Sequence, residues 1–296
     1  MSPVSDQLLS IEDLWLRLPH VAQRAVISGL GLGVGRGELV GLVGESGSGK
    51  SLTARAVLGL LPAGARAQGR VLVEGLDVLS CDRRALRGLR ASTVSMVFQD
   101  PRAGVNPVRR IGDFLTEATR ASGRHTRATA TARAIELLDA VGLPDPALHL
   151  TQYPHQLSGG MLQRVMIAGA LMGEPRLLLC DEPTTALDVT TQAEIVAVLQ
   201  RLQREQGLGM LFITHDLDLA AAICDRVYVM YAGHIVEEGP AKVLFSAPRH
   251  PYTAGLLSSK PRLGDEDRPL DCIPGSPASL LESALGAHAD NLRGVS

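Results

Sequence analysis

Apolar positions along the chain form short runs that predict an alternation of strands and helices. In the first third, strands are predicted over 11–18, 25–34, 38–43, 70–74 and 93–98, and a helix over 50–60. In the last third, strands are predicted over 176–180, 210–214 and 226–230, and helices over 190–206 and 217–224. Strands that alternate with helices predict a mainly parallel sheet covered by helices on both faces.

The segment from about residue 102 to 175 has a different pattern. It predicts helices over 111–121 and 127–141 with little strand signal, and Leu143-Pro144-Asp145-Pro146 ends the second helix. We interpret this segment as a helical insert in an α/β core. After about residue 246 the chain is rich in Pro, Ser and Gly, which predicts a poorly packed extension.

The stretch Gly44-Glu45-Ser46-Gly47-Ser48-Gly49-Lys50-Ser51, followed by Leu52, fits the phosphate-loop pattern G-x-x-x-x-G-K-[ST]. It follows a predicted strand and opens a predicted helix, which is the context that the pattern requires. The helix start attracts anions, Lys50 would reach the β- and γ-phosphates, and the Ser51 hydroxyl would ligate Mg²⁺. The plain alternative is a glycine-rich turn. Lysine is otherwise rare, standing only at 242 and 260, and a compact ammonium suits a phosphate better than a guanidinium does.

Polar residues also follow three predicted strands, where ligands bind in open α/β sheets. Asp181 would hold Mg²⁺ through water, and Glu182 could polarise the water that attacks the γ-phosphate. His215 could contact the γ-phosphate, and Gln99 could touch Mg²⁺ or the water. Taken singly, each also fits a bland interpretation: a solvated strand end, a surface histidine or a turn cap.

A second serine and glycine pattern occurs in LSGGMLQR, residues 157–164. Ser158 can cap a helix over about 160–172, whose inward face is marked by Leu162, Val165, Met166 and Gly169. That helix start would also attract phosphate, although one nucleotide needs only one such loop. The alternative is a capped helix behind a Gly-Gly turn.

Composition narrows the classes of protein. The 296-residue chain has a net charge of −2, without the basic footprint of a general nucleic-acid binder. Its four cysteines are far apart, which argues against zinc or disulfide scaffolds and favours a reducing compartment. No apolar run approaches the ~18 residues that span a bilayer. The first residues, MSPVSDQLLS, do not resemble a secretory signal.

Six motifs together resemble one family. GESGSGKS, VFQDP, LSGGMLQR, LLLCDEP, TTALD and ITHD occur in the order and spacing of ABC transporter ATP-binding subunits, over roughly residues 8–260. The resemblance implies an α/β P-loop NTPase core of the ABC ATPase type, with an antiparallel β subdomain and a helical subdomain. It implies a nucleotide-binding domain over 1–246, with the helical subdomain at about 102–175. A C-terminal extension of the peptide-importer type follows over 247–296.

The resemblance also implies roles for single residues, with ATP and Mg²⁺ as cofactors. ATP would be bound by the phosphate loop with Leu52, and by the signature residues Ser158, Gly159 and Gly160 acting on a nucleotide held by a second subunit. Glu182 would be the general base, His215 the switch histidine, and Asp188 part of a loop that touches the opposite subunit. The metal ligands would be Ser51, Gln99 and Asp181, and the loop at Gln99 would sense both nucleotide and membrane partner.

Within the family, the chain resembles the peptide and nickel importer branch. Met161 in LSGGM, DEPTTALDVTTQ, and the tail segments HPYTAGLL, PRLG and IPGSPASL are typical of oligopeptide and dipeptide uptake. LLPAGAR and SGGMLQR are also similar to nickel subunits, so nickel or a metal chelate is the alternative substrate. Two features depart from the family. No aromatic residue stands at 16–20 to stack on adenine, which leaves Leu18 or His20, and Cys272 is alone in the tail, so we expect no iron–sulfur cluster.

The resemblance implies partners and a location. We expect a second ATP-binding subunit that is a related but different chain, two transmembrane permease subunits, and an extracytoplasmic substrate-binding protein. The chain would lie peripherally on the cytoplasmic face of the inner membrane and bind no nucleic acid. A soluble ABC-type ATPase acting on nucleic acid or ribosomes is the alternative class, but such proteins usually carry long coiled-coil inserts or two cassettes. A non-hydrolysing regulatory cassette would have a damaged acidic pair or signature, and both are intact.

Overall fold

The structure is a computed structural model that describes residues 7–19, 25–185 and 187–259. Its strands are β1 (Gln7–Arg17), β2 (Ile27–Gly35), β3 (Leu39–Val43), β4 (Arg66–Val73), β5 (Leu76–Asp77), β6 (Val94–Val97), β7 (Leu177–Asp181), β8 (Gly209–Thr214), β9 (Arg226–Tyr231) and β10 (His234–Pro240). Its α-helices are α1 (Lys50–Val57), α2 (Arg83–Ser92), α3 (Ile111–Ala121), α4 (Arg127–Ala140), α5 (Pro146–Thr151), α6 (Gly159–Leu171), α7 (Val189–Gln206), α8 (Leu217–Ile223), α9 (Ala241–Ser246) and α10 (Pro251–Ser258).

The chain divides into two compact units. Among the described residues, the first comprises 7–19, 25–34, 39–80 and 212–259, and the second comprises 35–38, 81–185 and 187–211. Strand β8 contributes residues to both.

The first unit holds a four-stranded sheet of order β2-β1-β4-β5 and the strand order β10-β9-β3-β8. In the first sheet β1 pairs antiparallel with β4, with Leu9 opposite Val73. β3 pairs parallel with β9, and β9 pairs antiparallel with β10. Every residue of β3 is buried, as expected of a strand inside a parallel sheet with both faces covered.

The second unit holds the strand order β8-β7-β6, in which β6 and β7 are parallel. All five residues of β7 are buried, and they end at Asp181. Between β6 and β7 the described chain is helical, with no strand. Helix α3 has the predicted bounds, and α4 ends one residue earlier than predicted, before the proline pair.

Several elements were not predicted from the sequence pattern, and the expectation about packing was wrong for the first part of the C-terminal segment. Helix α2 is rich in arginine and buries only Leu89, so few apolar positions mark it in the sequence. The segment after residue 246 was expected to be poorly packed. Its first part instead forms α10, in which Tyr252 and Thr253 are buried, because His250 and Pro251 begin a regular helix there. Residues 260–296 lie outside the described part of the chain.

The fold class predicted from the sequence is confirmed: strands and helices alternate, and an antiparallel sheet and an all-helical segment accompany the parallel strands. The core is aliphatic, as the low aromatic content predicted, with Leu42, Leu178, Ile195 and Val227 among its fully buried side chains. Among the described helices, none is both long enough and apolar enough to cross a membrane.

Candidate functional site

The phosphate loop connects β3 to α1 in the first unit. Gly44, Gly47 and Gly49 have φ angles of 149°, 81° and 112°, a region that L-residues with side chains rarely adopt. A Cβ atom on Gly44 would lie 2.1 Å from the carbonyl oxygen of Met230, and one on Gly49 would lie 2.7 Å from the Met230 Cε atom. The loop therefore needs glycine for its curvature and for its close approach to β9.

Lys50 folds back over this loop. Its Nζ donates to the carbonyl oxygens of Gly44 at 2.7 Å and Glu45 at 2.8 Å, and the residue is only 4% exposed. The hydroxyl of Ser48 is buried and has no hydrogen-bond partner among the described residues. No side chain caps the start of α1. A buried ammonium, an unsatisfied hydroxyl and an uncapped helix start fit a phosphate group, because each offers a donor to an anion.

His215 follows β8 in the same unit and is exposed. Its neighbour Asp216 accepts hydrogen bonds from the backbone N–H groups of Asp218 at 3.0 Å and Leu219 at 3.2 Å, and so begins α8. Asp216 also donates its own N–H to the Thr214 hydroxyl at 3.0 Å. His215 is thus held at a fixed place between a buried strand and a capped helix, as the sequence predicted.

The acidic pair lies at the end of β7 in the second unit. Asp181 is 3% exposed, and Glu182 has a φ angle of 46°. The Glu182 Oε2 atom accepts hydrogen bonds from Gln99 Nε2 at 3.2 Å and from Thr185 Oγ1 at 2.8 Å. Positive φ is uncommon outside glycine and clusters at functional sites. The structure therefore brings together two predicted residues, Gln99 and Glu182, and holds the glutamate by an unusual backbone angle.

Thr185 was not identified from the sequence. Its hydroxyl orients the predicted base, and the available signal was its position three residues after Glu182 in DEPTT. A threonine at that spacing can reach back to a carboxylate across a turn.

The signature residues lie at the start of α6. The Ser158 hydroxyl accepts the N–H of Met161 at 3.2 Å, which confirms the predicted cap. Asp188 begins α7 in a similar way, accepting the N–H of Thr191 at 3.0 Å and its hydroxyl at 2.7 Å. The two helix starts are adjacent, because a Cβ atom on Gly160 would lie 2.6 Å from Thr191 Cγ2.

A cavity of about 330 Å³ lies beside these two helix starts. Its lining residues include Ser158, Gly159, Gly160, Arg164, Asp188, Thr191 and Glu194. Arg164 pairs with Glu194 at 2.6 Å. The hydrogen bonds from the backbone and then the hydroxyl of Thr191 lower the pKa of Asp188. Two capped helix starts and the Arg164–Glu194 ion pair thus border an open cavity. Such a cavity suits contact with a polar or charged group of another molecule.

Cys180 and Cys224 are buried, free cysteines whose surroundings favour the protonated thiol over the thiolate that binds metals. Burial, and then the charge of Asp181, raises the pKa of Cys180, and burial and Asp225 do the same for Cys224. Within the described residues, no group of three or more His, Cys, Asp or Glu side chains could hold a metal ion. Cys272 lies outside that part of the chain, so the absence of an iron–sulfur cluster stays a prediction. Of the two adenine-stacking candidates, Leu18 is half-buried and His20 lies outside the described residues.

Comparisons with known proteins agree with this geometry. The family model of the ABC transporter matches residues 27–185. A second model, the oligopeptide/dipeptide transporter C-terminal region, matches residues 236–287. The oligopeptide transport ATP-binding protein OppD of Haemophilus influenzae is 44% identical over 281 residues, covering 94% of this chain and 87% of that protein. OppD of Bacillus subtilis is 42% identical over 286 residues, covering 95% and 79%.

Solved structures give the same result. A post-hydrolysis dimer of the ATP-binding cassette MJ0796 with ADP and phosphate superposes with a TM-score of 0.70 at 26% identity, covering 79% of this chain and 98% of that chain. CbiO1 of Clostridium perfringens, part of an ABC transporter complex, superposes with a TM-score of 0.70 at 27% identity, covering 85% and 95%. This chain therefore belongs to the ATP-binding subunits of ABC transporters, enzymes that couple ATP hydrolysis to transport, and within them to the oligopeptide/dipeptide branch.

Proposed function

We propose that this chain energises the uptake of peptides across the cell membrane by hydrolysing ATP. The observation that carries the proposal is the arrangement of Glu182 between Gln99 and Thr185, in a chain with an intact phosphate loop. The match of residues 236–287 to the C-terminal region of oligopeptide and dipeptide transporters supports peptides as the substrate class. The relatives named above as oligopeptide transport proteins support the same class.

The phosphate loop, residues 44–52, supplies the nucleotide-binding groups. Its N–H groups would bind the phosphates, and Lys50 would exchange the carbonyl oxygens of Gly44 and Glu45 for the β- and γ-phosphates. Ser51, Gln99 and Asp181, the last through water, would hold Mg²⁺. When bound, that ion neutralises charge on the phosphates.

Glu182 would act as the general base. It accepts a proton from water while the water oxygen bonds to the γ-phosphorus and the bond to the β-phosphate oxygen breaks. Thr185 and Gln99 each donate a hydrogen bond to the same carboxylate oxygen, Oε2, which fixes the direction of the carboxylate. His215 would contact the γ-phosphate and orient the water. Most of the rate enhancement then comes from positioning and charge stabilisation.

The signature loop would act on a second nucleotide. Ser158, Gly159 and Gly160 would contact the γ-phosphate bound by another ATP-binding subunit, and Asp188 would touch that subunit. We propose that this subunit is a related but different chain, and that ATP binding closes the pair while hydrolysis opens it. The cavity beside α6 and α7 supports this role, because it is bordered by helix starts and charged side chains.

The remaining partners and the domain limits are part of the same proposal. Two transmembrane permease subunits would receive the movement through the segment at about 99–115, and an extracytoplasmic binding protein would deliver the peptide. The chain would lie peripherally at the cytoplasmic face of the membrane and bind no nucleic acid. Residues 1–246 would form the nucleotide-binding domain, with a helical subdomain at about 102–175, and 247–296 the extension.

The test replaces Glu182 by Gln in the assembled transporter. We expect ATPase activity to fall ~10²- to 10⁴-fold, the usual contribution of a general base, while the variant still binds ATP and favours the closed pair. Uptake of a labelled tripeptide into cells should be lost in parallel. Glu174→Gln is the matched control, because Glu174 is also a glutamate at positive φ but is exposed and has no proposed role.

Three results would contradict the proposal. Wild-type turnover by the Glu182→Gln variant would remove Glu182 from the role of base. If cells that carry Glu182→Gln lost nickel uptake and kept peptide uptake, the substrate would be the metal and not a peptide. Capture of ribosomes or DNA in place of permeases would place the chain among the soluble ATPases.

A further inference from the structure

The first part of the C-terminal segment packs directly on the nucleotide-binding machinery of its own unit. Helix α10 carries Tyr252, which is 2% exposed. Its ring packs against Tyr231 at the end of β9, with a centroid separation of 4.3 Å and an angle of 43° between the ring planes. Tilted aromatic pairs of this kind are favourable beyond their buried area. The packing of its ring alone therefore holds Tyr252 in place.

Each residue of the sequence His250-Pro251-Tyr252 has a separate physical role. The His250 Nδ1 atom accepts the N–H of Tyr252 at 3.1 Å and so begins α10. Pro251 occupies the first helical turn, where no N–H is needed. The backbone N–H groups of Arg249 and His250 donate to the Glu237 carboxylate at 2.8 and 3.1 Å. The segment is thus anchored to β10, and its helix begins at a set position.

The Tyr252 hydroxyl contacts the phosphate loop. It accepts the backbone N–H of Glu45 at 3.3 Å, across 207 residues of sequence. The carbonyl oxygen of the same residue, Glu45, accepts Lys50 Nζ at 2.8 Å. Burial, and then the charge of Glu45, raises the pKa of Tyr252, so the hydroxyl stays protonated at physiological pH. One residue of the loop is therefore held on its N–H side by α10 and on its carbonyl side by Lys50.

This contact gains importance when nucleotide binds. The loop contains three glycines at positive φ, and glycine loses more conformational freedom on ordering than any other residue. If Lys50 turns to the phosphates, as the proposed function requires, the carbonyl oxygens of Gly44 and Glu45 lose that partner. The hydrogen bond from Glu45 to Tyr252 does not involve Lys50 and can persist. A loop that is held in advance binds its ligand more tightly, because less entropy is lost on binding.

We propose that Tyr252 is a positioning residue of the phosphate loop, through which the C-terminal segment sets the affinity of this chain for ATP. The proposal rests on the proposed function of the loop as an ATP site. The segment HPYTAGLL is typical of the peptide branch. In this proposal its tyrosine has a physical role, which is to hold the Glu45 N–H of the phosphate loop.

The test compares Tyr252→Phe with Tyr228→Phe. Phenylalanine keeps the ring and removes only the hydroxyl. Tyr228 is the control for loss of a buried tyrosine hydroxyl, since it is 3% exposed and its hydroxyl accepts the Gly33 N–H and a hydrogen bond from Arg226, neither of which lies in the phosphate loop. Binding of Mg–ATP to the isolated chain would be measured by titration calorimetry in short experiments at low temperature. ATPase activity of the assembled transporter would give KM and kcat separately.

Tyr252→Phe should weaken ATP binding and raise KM about three- to tenfold, the range that corresponds to one hydrogen bond. The value of kcat at saturating ATP should stay within about twofold of wild type, because the loop does not supply the base. Tyr228→Phe should lower thermal stability by at least as much as Tyr252→Phe, because the Tyr228 hydroxyl accepts two hydrogen bonds, and it should leave KM unchanged.

An unchanged or tighter Kd for ATP in Tyr252→Phe, with normal binding by wild type, would overturn the role of Tyr252 and leave the proposed function standing. An equal rise in KM for both tyrosine variants would also overturn it, since the effect would then be one of general stability. Failure of the wild-type chain to bind ATP would instead contradict the proposed function.

Discussion

The two serine- and glycine-rich loops of this chain start their helices in different ways. In the phosphate loop, α1 begins at Gly49 with a φ angle of 112° and no side-chain cap, and a buried Lys50 follows. In the signature loop, α6 begins at Ser158, whose hydroxyl caps the helix through Met161. The first loop carries its own buried cation. In the second, Ser158 already satisfies one N–H group and the helix start borders an open cavity, which supports the proposed contact with a nucleotide held by another subunit.

Glycine is needed in the two loops for partly different physical reasons. In the phosphate loop, glycines supply positive φ angles that curl the backbone, and Gly44 and Gly49 also allow a close approach to β9. Gly159 and Gly160 are part of a regular helix, and Gly160 matters because a side chain there would collide with Thr191. Glycine thus provides both curvature and close approach in the phosphate loop, and close approach alone in the signature loop.

Of the substitutions that test this comparison, Lys50→Ala should have the largest effect, a loss of ATP affinity. It removes a buried cation whose hydrogen bonds to charged groups are worth ~1.5–3 kcal/mol each, so ATP affinity of the isolated chain should fall about 10- to 100-fold. Titration of the chain with Mg–ATP measures the change. Lys242→Ala is the control, because Lys242 is an exposed lysine on α9. If Lys50→Ala kept wild-type affinity for ATP, Lys50 would not contribute to ATP binding, and the proposed difference between the two loops would be wrong.

Alanine substitutions at Gly159 and Gly160 should have smaller effects, which are changes of opposite sign in the free energy of unfolding. Gly159→Ala should stabilise the chain by up to ~1 kcal/mol, because alanine favours helix and its Cβ would lie 4.0 Å from the nearest heavy atom, Leu187 Cδ2. Gly160→Ala should destabilise it by ~1–3 kcal/mol, because its Cβ would lie 2.6 Å from Thr191 Cγ2. Urea unfolding of both variants measures the difference. Equal effects would show that close approach is not the reason for glycine at 160.

The local features of the candidate site were predictable because its motifs are local. The phosphate loop, the acidic pair and the cap at Ser158 each depend on neighbours within a few residues, and local hydrogen bonding decides such features. The contact between Tyr252 and Glu45 was not predictable in this way, because its partners are 207 residues apart. Only the fold brings them together.

The elements that were missed have a similar explanation. α2 buries one residue, and the residues of β10 are half-buried or exposed. An element that buries few side chains offers few apolar core positions by which the sequence can predict it. The segment after residue 246 was judged from its Pro, Ser and Gly content, yet Pro251 begins α10 and does not disrupt it.

We propose that the phosphate loop and the signature loop of one chain serve two different nucleotides. The ATP affinity of the isolated chain carrying Ser158→Arg tests this proposal, with ATPase activity of the assembled transporter measured in parallel. We predict an affinity within about twofold of wild type, while transporter ATPase falls by about tenfold or more, since contacts to the transition-state charge are lost. A loss of affinity in the isolated chain as large as that of Lys50→Ala would contradict the proposal, because both loops would then bind the same nucleotide.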